Sequence, residues 1–417
     1  MPHRTPTLPR LPVLGWAAFG GATQASLPTL LDRDPQALRY TTSGRAAILL
    51  ALEALGLGPG QQVLLPTYHC PTMVAPAVGL GATPRFYPID GRGQPRLDWL
   101  QSQNLDAVRA ILVPHFFGLP QPMQALRDWC DQRHIALIED CAHALFGRSG
   151  ERAIGTWGDL AISSLTKFLP VPEGGCLVVN RGPARTEFQR CGPLQQVKAV
   201  LDIAEEGARH GRLGGLNWWI QAPLDAQRRL RQRHHPMPAT AAAPEPGSGA
   251  EVPDDPDMLV DPRLAHRAPA AACRWVAQWL PRQRIVERRR LRYQELSQRL
   301  AGLPGLRPLM PVLPDDCAPY VFPLWVDRPD PGYAELRRRQ MPVFRWDRLW
   351  PGTPELEDDH GRLWSHHVIQ LACHQDLTDA DVDALVACVQ GIFASPQAAS
   401  PASPSLPSVQ AALPVCG

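Results

Sequence analysis

Short apolar runs alternate with segments of helical periodicity over the first 180 residues of the chain. The runs are bounded by Gly, Pro and Asp, and this pattern predicts buried strands at 60–66, 84–89, 107–114, 135–140, 160–165 and 176–179. Apolar positions at helical spacing predict helices within 42–57, 72–78 and 123–133. Strands and helices in alternation are typical of the α/β class, in which helices cover both faces of a mostly parallel sheet.

The pattern changes after residue 181 and indicates a second, smaller α/β unit. Residues 234–255 are rich in Pro, Ala, Gly and acids without periodicity, which is typical of a mobile linker. Helical periodicity returns over 270–300, and predicted elements follow at 320–326 (strand), 332–340 (helix), 368–372 (strand) and 379–393 (helix). The predicted parts are an N-terminal arm (1–39), a large domain (40–232), a flexible linker (233–262), a small C-terminal domain with a connecting helix (263–393) and a disordered tail (394–417).

Composition and charge are those of a globular protein with a large core. The 417 residues are 44% hydrophobic and carry a net charge of +2, with basic residues scattered or paired with acids. This length allows two domains, and the charge pattern argues against a nucleic-acid or membrane surface. The arginine-rich segment 282–292 keeps Ile285, Val286 and Leu291 at helical spacing. We therefore interpret it as the solvated face of an amphipathic helix rather than as a polyanion site.

Cysteines and histidines give no sign of a disulfide framework or a metal site. The ten cysteines are dispersed without a CxxC pair, and several lie inside apolar runs, which favours reduced, buried thiols. His115, His366, His367 and His374 include no pair with a third ligand at metal spacing, so we predict no metal. The sequence shows no signal-type segment and no apolar run of transmembrane length, and a cytoplasmic location is expected.

Three polar side chains, His115, Asp140 and Lys167, fall at or just after predicted strand ends. Because ligands of such sheets bind at the carboxyl ends of the strands, these residues could converge on one site. A carboxylate that follows a buried strand, as Asp140 does, needs hydrogen-bond donors or a cationic partner. It could cap a following helix or face a protonated heterocyclic nitrogen of a cofactor, and the stretch alone favours neither.

Lys167 is one of only two lysines in the chain, the other being Lys198. It lies between the β-prone run at 160–165 and a Pro- and Gly-rich turn at 170–175, where the backbone holds an amine in place. Such a lysine suits Schiff-base chemistry. The alternative is a solvated surface lysine without a chemical role.

The segment TTSGRA at 41–46 opens the first predicted helix and is a candidate phosphate site. Free backbone N–H groups, the small residue Gly44 and the guanidinium of Arg45 suit a phosphate. Ser-Gly before a helix also serves as a simple cap, which is the alternative. The sequence has neither a Walker loop nor a GxGxxG after a strand, which argues against nucleotide hydrolysis and dinucleotide binding.

Five segments occur in an order known from one enzyme family. They are TSGRAAILLALEALGLGPGQQVLLP, GATPRFYPID, VPHFFGLPQPMQAL with IALIEDCAHALFG, GDLAISSLTKFLPVPEGG and VIQLACHQDLTDADVDAL. Their order resembles the DegT/DnrJ/StrS family of pyridoxal-phosphate-dependent (PLP-dependent) sugar aminotransferases, well over 40–180 and loosely over 265–392. The resemblance implies the PLP-dependent transferase fold type I. That fold has a large domain with a mostly parallel seven-stranded sheet and helices on both faces, plus a smaller C-terminal α/β domain.

The resemblance also implies a site for pyridoxal 5′-phosphate. Lys167 would be the catalytic residue and would hold the cofactor as a Schiff base. Asp140 would pair with the pyridine nitrogen, and His143 would lie against the ring or its phenolic oxygen. The residues that would bind the phosphate are Gly44, Arg45 and either Ser163 or Ser164.

The chain departs from the family pattern at four places, one of which is a shorter interval from Asp159 to Lys167 that leaves the choice between Ser163 and Ser164 open. Arg45 stands where the family usually has Thr. Cys70 occupies the place of the aromatic residue that stacks on the cofactor ring, so Tyr68 or His69 would have to cover the ring. The usual Gly-x-Asn-x-Arg segment is reduced to HRAPAAAC at 266–273, in which only Arg267 matches. These changes indicate a divergent subgroup with a different substrate.

The function that the resemblance implies is an aminotransferase acting as a homodimer. It would move an amino group from an amino acid, glutamate in our interpretation, to a keto group of a nucleotide-linked sugar in polysaccharide or glycoconjugate biosynthesis. An enzyme with the same cofactor but a lyase or dehydratase reaction, or a non-sugar substrate, is the alternative. A non-catalytic scaffold is a third hypothesis, against which Lys167 and Asp140 argue. The stretch FRWDRLWP (344–351) could line a sugar-nucleotide pocket or simply pack between domains.

Overall fold

A seven-stranded sheet organises the first half of the computed structural model, which describes residues 8–182, 188–223 and 260–393. The strands, with a short hairpin (β6–β7) beside the sheet, are Leu38–Thr41 (β1), Gln62–Pro66 (β2), Thr83–Tyr87 (β3), Val108–Pro114 (β4), Ala136–Asp140 (β5), Arg148–Ser149 (β6), Arg152–Ala153 (β7), Leu160–Ser164 (β8) and Gly175–Val179 (β9). Their order is β1-β9-β8-β5-β4-β2-β3. The pairings from β8 to β3 are parallel, and the two that involve β9 are antiparallel. The predicted seven-stranded, mostly parallel sheet is confirmed.

The helices of this half are Gly44–Ala54 (α1), Pro71–Gly79 (α2), Leu97–Ser102 (α3), Gln124–Arg133 (α4) and Pro193–Arg209 (α5). Side chains of β4 alternate between two hydrophobic clusters, with Leu112 in one and Val113 in the other. Because strand side chains alternate in direction, the two clusters lie on opposite faces of the sheet. Leu50 of α1 belongs to the cluster of Leu112, so α1 covers that face.

A four-stranded antiparallel sheet, ordered β10-β11-β13-β12, forms a smaller unit. Its strands are Leu306–Pro308 (β10), Val321–Val326 (β11), Val343–Phe344 (β12) and Val368–Ala372 (β13). The helices of this half are Pro262–Ala265 (α6), Ala271–Trp279 (α7), Arg282–Leu300 (α8), Gly332–Arg338 (α9), Gly361–His367 (α10) and Asp379–Phe393 (α11). Most of the predicted linker at 233–262 and the predicted tail at 394–417 lie outside the described residues. Within the described ranges, no helix combines the length and hydrophobicity needed to cross a membrane.

The arginine-rich helix α8 is not the solvated face that its composition suggested. Arg289 and Arg292 are buried, with 0% and 2% of their surface exposed. Arg289 donates to the backbone carbonyls of Lys167 at 2.7 Å and Pro319 at 2.9 Å, and to the side chain of Gln375 at 2.8 Å. A guanidinium can be buried in this way because its five N–H donors find acceptors around one plane. Burial lowers the pKa of Arg289 to about 10, and the group still carries its charge at neutral pH.

Loss of the Arg289 guanidinium is expected to destabilise the fold. Buried carbonyls that lose their donor cost about 1–3 kcal/mol each, so we expect Arg289→Met to lower the free energy of unfolding by about 3 kcal/mol. Urea denaturation monitored by circular dichroism measures this change. Arg288→Met is the matched control, because Arg288 is one position away, half-exposed and only 3.7 Å from the exposed Asp379. Equal midpoints for the two variants would contradict the structural role of Arg289.

Candidate functional site

A cavity of about 400 Å³ opens at the carboxyl ends of β4, β5 and β8, beside the first turn of α1. Residues of the smaller unit, including Tyr320, Phe344 and Trp346, close it from the other side. Six residues singled out from the sequence line this cavity: Gly44, Arg45, Asp140, His143, Ser164 and Lys167. Such a concave site with converging polar groups at strand ends is the expected ligand site of an α/β sheet.

Lys167 ends a short 3₁₀ turn, Leu165–Lys167, that directly follows β8. Its backbone carbonyl accepts the bond from Arg289, and its Nζ lies 5.3 Å from the ring centroid of Tyr320. Desolvation lowers the pKa of the Lys167 amine, although the nearby charge of Asp140 opposes the shift. A lysine with a lowered pKa is more readily unprotonated, and therefore a better nucleophile and base, than one in water.

Asp140 is the last residue of β5 and is buried at the base of the cavity. Its Oδ1 accepts the backbone N–H of Ala142 at 2.8 Å, and no helix begins at residues 141–147, so the helix-capping alternative does not hold. Desolvation raises the pKa of Asp140, while the Ala142 bond and the charge of Lys167 act in the opposite direction. A buried carboxylate with so few donors favours a ligand that brings a proton or a positive charge.

His143 lies between the aromatic rings of the smaller unit. Its ring centroid is 4.5 Å from that of Tyr320 and 5.2 Å from that of Trp346. Nδ1 accepts the backbone N–H of Phe117 at 3.3 Å, which leaves the proton of the neutral ring on Nε2. Desolvation, with a contribution from the charge of Lys167, lowers the pKa of His143 well below its usual range. The ring is therefore neutral at physiological pH.

The start of α1 faces the cavity with very little space beside it. The Ser43 hydroxyl accepts the N–H of Ala46 at 3.1 Å, whereas the first amide of the helix, at Gly44, has no acceptor within the helix. A Cβ on Gly44 would lie 3.2 Å from the Cβ of Ser164. A larger residue at position 44 would therefore require the helix start or Ser164 to shift by a few tenths of an ångström. The amide dipole and the Ser164 hydroxyl together make an anion site.

His115 does not converge with Asp140 and Lys167, contrary to the prediction from strand ends. Its Nε2 lies 2.9 Å from Glu139, and its Nδ1 accepts the N–H of Gln121. Glu139 also accepts backbone N–H groups at 155, 157 and 158. Burial alone would raise the pKa of Glu139, but these bonds dominate and lower it. Cys141 lies within 4.8 Å of both groups, yet their donor atoms are already engaged in these hydrogen bonds.

Three other predicted cofactor-binding residues are placed outside the cavity. Ser163 points to the opposite face of β8, where its hydroxyl donates to the Cys141 carbonyl at 2.8 Å, so of the two serines only Ser164 reaches the cavity. Tyr68 is enclosed by aromatic rings, and its hydroxyl accepts from Gln370. His69 stacks on Phe86 and accepts the N–H of Trp350. Neither Tyr68 nor His69 is therefore brought to the cavity in which the cofactor ring is expected.

The sequence did not single out all of the residues that line the cavity. Those that it missed include Arg10, Tyr320, Tyr333, Arg337 and Gln370. The stretch 344–351 could either line a pocket or pack between domains, and three of its residues line the cavity: Phe344, Arg345 and Trp346. Cys70, which stands in the place of the expected aromatic, also lines it. The aromatic rings at the cavity come from the smaller unit instead.

Comparison with known proteins gives a partial match in sequence. Residues 37–192 match the model of the DegT/DnrJ/EryC1/StrS aminotransferase family. The dTDP-4-dehydro-2,3,6-trideoxy-D-glucose 4-aminotransferase of Saccharopolyspora spinosa is 34% identical over 166 residues, which cover 38% of this chain and 43% of that protein. The L-glutamine:2-deoxy-scyllo-inosose aminotransferase of Streptoalloteichus tenebrarius is 28% identical over 250 residues, 51% of this chain and 58% of that protein. The chain thus spans about half the length of these curated relatives.

The likeness in structure extends over most of the chain. NtdA of Bacillus subtilis, solved with bound cofactor PMP, superposes with a TM-score of 0.54 at 15% identity, over 85% of this chain and 73% of that one. At this identity the likeness shows the fold. The fold type I architecture expected from the sequence is confirmed, with the cavity at the sheet edge where the resemblance placed a cofactor.

Proposed function

We propose that the protein, whose residues 37–192 match the model of the DegT/DnrJ/EryC1/StrS aminotransferase family, is a PLP-dependent aminotransferase. In this proposal an amino acid, with glutamate as the expected donor, gives its amino group to a keto group of a nucleotide-linked sugar. One observation carries the proposal: Lys167, Asp140 and His143 line one cavity together with the start of α1. An amine, a carboxylate and an anion site are the three groups that this cofactor requires.

The residues present fit pyridoxal 5′-phosphate at both of its ends. At one end, the buried Asp140 faces the cavity and accepts one hydrogen bond from the described residues, that of the Ala142 N–H. At the other end, a Cβ on Gly44 would make a tight contact with Ser164, and its absence lets the helix start approach a phosphate closely. Gly44, Arg45 and Ser164 would hold the phosphate, and Asp140 would hold a proton on the pyridine nitrogen. His143 lines the same cavity, and its neutral imidazole adds no competing charge there.

The reaction divides between cofactor and protein. When bound, the protonated ring of the cofactor accepts electron density from the substrate carbon. Lys167 supplies the amine that first holds the cofactor and then acts as the base that removes a proton from that carbon and returns it. The lowered pKa of Lys167 suits this role, because the amine must be unprotonated to accept the proton. Arg289 fixes the backbone from which this side chain extends.

Relatives support the proposed acceptor class without narrowing it to one compound. The names of two curated relatives include a dTDP-linked keto sugar and a GDP-perosamine product. A third relative acts on 2-deoxy-scyllo-inosose, which carries no nucleotide in its name. A ring ketone, either a sugar or a carbocycle, is the acceptor type that the names of the first and third relatives have in common, and the nucleotide is the finer part of the proposal.

The donor half of the reaction gives the direct test. Glutamate added to the purified holoenzyme is expected to remove the visible absorbance of the aldehyde form of the cofactor and to produce its amine form. Keto acids added afterwards should restore the first spectrum. A protein that binds the cofactor, forms a borohydride-reducible bond with it and yet shows no change with any amino acid would instead be assigned the lyase or dehydratase alternative.

We also propose that the protein acts as a homodimer in the cytoplasm. Helix α5 exposes apolar side chains three and four residues apart, with 86% of Leu194, 59% of Val197 and 61% of Leu201 accessible. Trp218 and Trp219, in the helical residues 216–223, are exposed as well. An apolar surface of this kind is typical of a protein–protein interface. Light scattering measures the mass, and a monomer at every concentration would contradict the dimer.

The described cysteines are all free, which suits a reducing compartment.

A further inference from the structure

The cavity carries more positive charge than the proposed cofactor needs. One carboxylate, Asp140, lines it, whereas its cationic lining residues are Arg10, Arg45, Lys167, Arg337 and Arg345. In the proposed function the amine of Lys167 is used by the cofactor, and Arg45 lies at the phosphate end. Three arginines remain at the opening, where a second anionic group can meet them.

Two of these three arginines have no acidic partner among the described residues. Arg345 forms an ion pair with Asp330 at 2.7 Å. For Arg10 and Arg337, no carboxylate lies within 4.0 Å among the residues that the structure describes. The contacts they do make are with aromatic side chains: the Arg10 guanidinium lies 4.0 Å above the ring of Phe344, and Arg337 is 3.4 Å from the hydroxyl of Tyr333. A stacked guanidinium keeps its edge N–H groups available for an anion.

Arg10 reaches the cavity because the N-terminal arm is firmly packed. The carbonyl of the buried Pro9 accepts from Nε2 of His374 at 3.0 Å. On the other side of Arg10, the side chain of Val13 is buried, with 3% of its surface exposed. Arg10 is therefore held at both sides by packed residues. An arginine on such a segment can act as part of a built site.

Resting on the proposed function, we propose that Arg10 and Arg337 bind the phosphate groups of the acceptor. Two guanidiniums without counter-charges match a diphosphate, whose oxygens accept paired N–H bonds from arginine. Phe344 and Tyr333 hold these guanidiniums beside the cavity and add apolar surface for a sugar or base ring. The N-terminal arm is thus part of the acceptor site. An uncharged keto sugar would leave both arginines without a partner.

Binding of inorganic pyrophosphate and of UDP, GDP and dTDP to the holoenzyme in its amine form tests this assignment by calorimetry. We expect Arg10→Ala and Arg337→Ala each to weaken the binding of pyrophosphate and of the preferred nucleotide by about ten-fold or more, since bonds to charged groups contribute this much. Uridine, which lacks phosphate, should bind equally to wild type and variants. Arg92→Ala is the matched control, because Arg92 is exposed and lies on a turn outside the cavity.

Two results would overturn the proposal. In the first, both variants bind pyrophosphate and the nucleotide with affinities within two-fold of those of the Arg92→Ala control. The other result concerns the donor. If the variants raise the glutamate concentration needed for half conversion by a larger factor than they weaken pyrophosphate binding, the arginines bind the carboxylate of the donor instead. Thermal unfolding and cofactor content confirm that the variants are folded. A wild type that binds pyrophosphate but shows no spectral change with amino acids would refute the proposed function and leave the anion site standing.

Discussion

Replacing Lys167 with alanine is expected to remove aminotransfer and covalent attachment of the cofactor together. The base that moves the proton is lost, which alone lowers the rate by roughly 10²–10⁴-fold. Borohydride treatment followed by mass spectrometry should find the cofactor on the peptide that contains Lys167 in the wild type and on no peptide in the variant. Added methylamine, which replaces the missing base, should recover part of the rate.

The second lysine of the chain supplies the control for this experiment. Lys198 is exposed on α5 and pairs with Asp202 at 2.5 Å. Lys198→Ala should keep the rate, the absorbance and the label of the wild type. Label on Lys198, or a wild-type rate in the Lys167→Ala variant, would show that the cavity amine is not the one that reacts.

Replacing Asp140 with asparagine is expected to lower the rate of the donor half-reaction by roughly 10²–10³-fold, the usual loss when one preorganised electrostatic partner is removed. The amide keeps an oxygen that can accept the Ala142 N–H, but it has no charge with which to hold a proton on the ring nitrogen. Stopped-flow absorbance after mixing with glutamate measures the rate. Asp128→Asn is the control, because Asp128 is exposed on α4 and bonded only to Gln124.

The stability of the cofactor-free protein separates a chemical role of Asp140 from a structural one. Desolvation raises the folded-state pKa of Asp140 above its unfolded value. Such a group stabilises the fold below the unfolded pKa, and this contribution is lost as the pH rises through the folded pKa. At neutral pH the buried charge of Asp140 therefore destabilises the folded state. For this reason Asp140→Asn should not lower the melting temperature of the apoprotein. A variant that melts well below the wild type would point to a structural role instead.

The pattern of apolar runs in the sequence predicted most strands of the larger sheet. It also indicates which side chains at the strand ends face the cavity. Asp140 and Lys167 were placed correctly because ligands lie at the ends of parallel strands. His115 and Ser163 were not, because side chains alternate in direction along a strand. Asp140 and Ser164 lie an even number of residues from Ile138 and Ile162, which share one face with α1. His115 and Ser163 lie an odd number of residues from the positions of their strands that belong to that face. The alternation of side chains along each strand would therefore have excluded them.

Other contacts could not be predicted from the sequence. Arg289 lies 122 residues from Lys167 in the chain, and its helix carries the polarity pattern of a surface helix. Only the packing of the smaller sheet against the larger one gives its guanidinium the carbonyls that allow burial. Arg10 is likewise brought to the cavity by a contact of the neighbouring Pro9 with His374, which lies more than 360 residues away in the chain. Local propensity contains no information about which distant segments meet.

The guanidinium of Arg289 also has a thermodynamic consequence. It joins the carbonyl of Lys167 to that of Tyr320 and to Gln375, so that the reactive amine and the smaller sheet share one rigid connection. A ligand whose binding moves the smaller sheet would, through this connection, also move the backbone that carries the Lys167 amine. Where such a movement changes the pKa of the amine, protonation of the amine changes the affinity for that ligand by the same factor, because linkage is reciprocal.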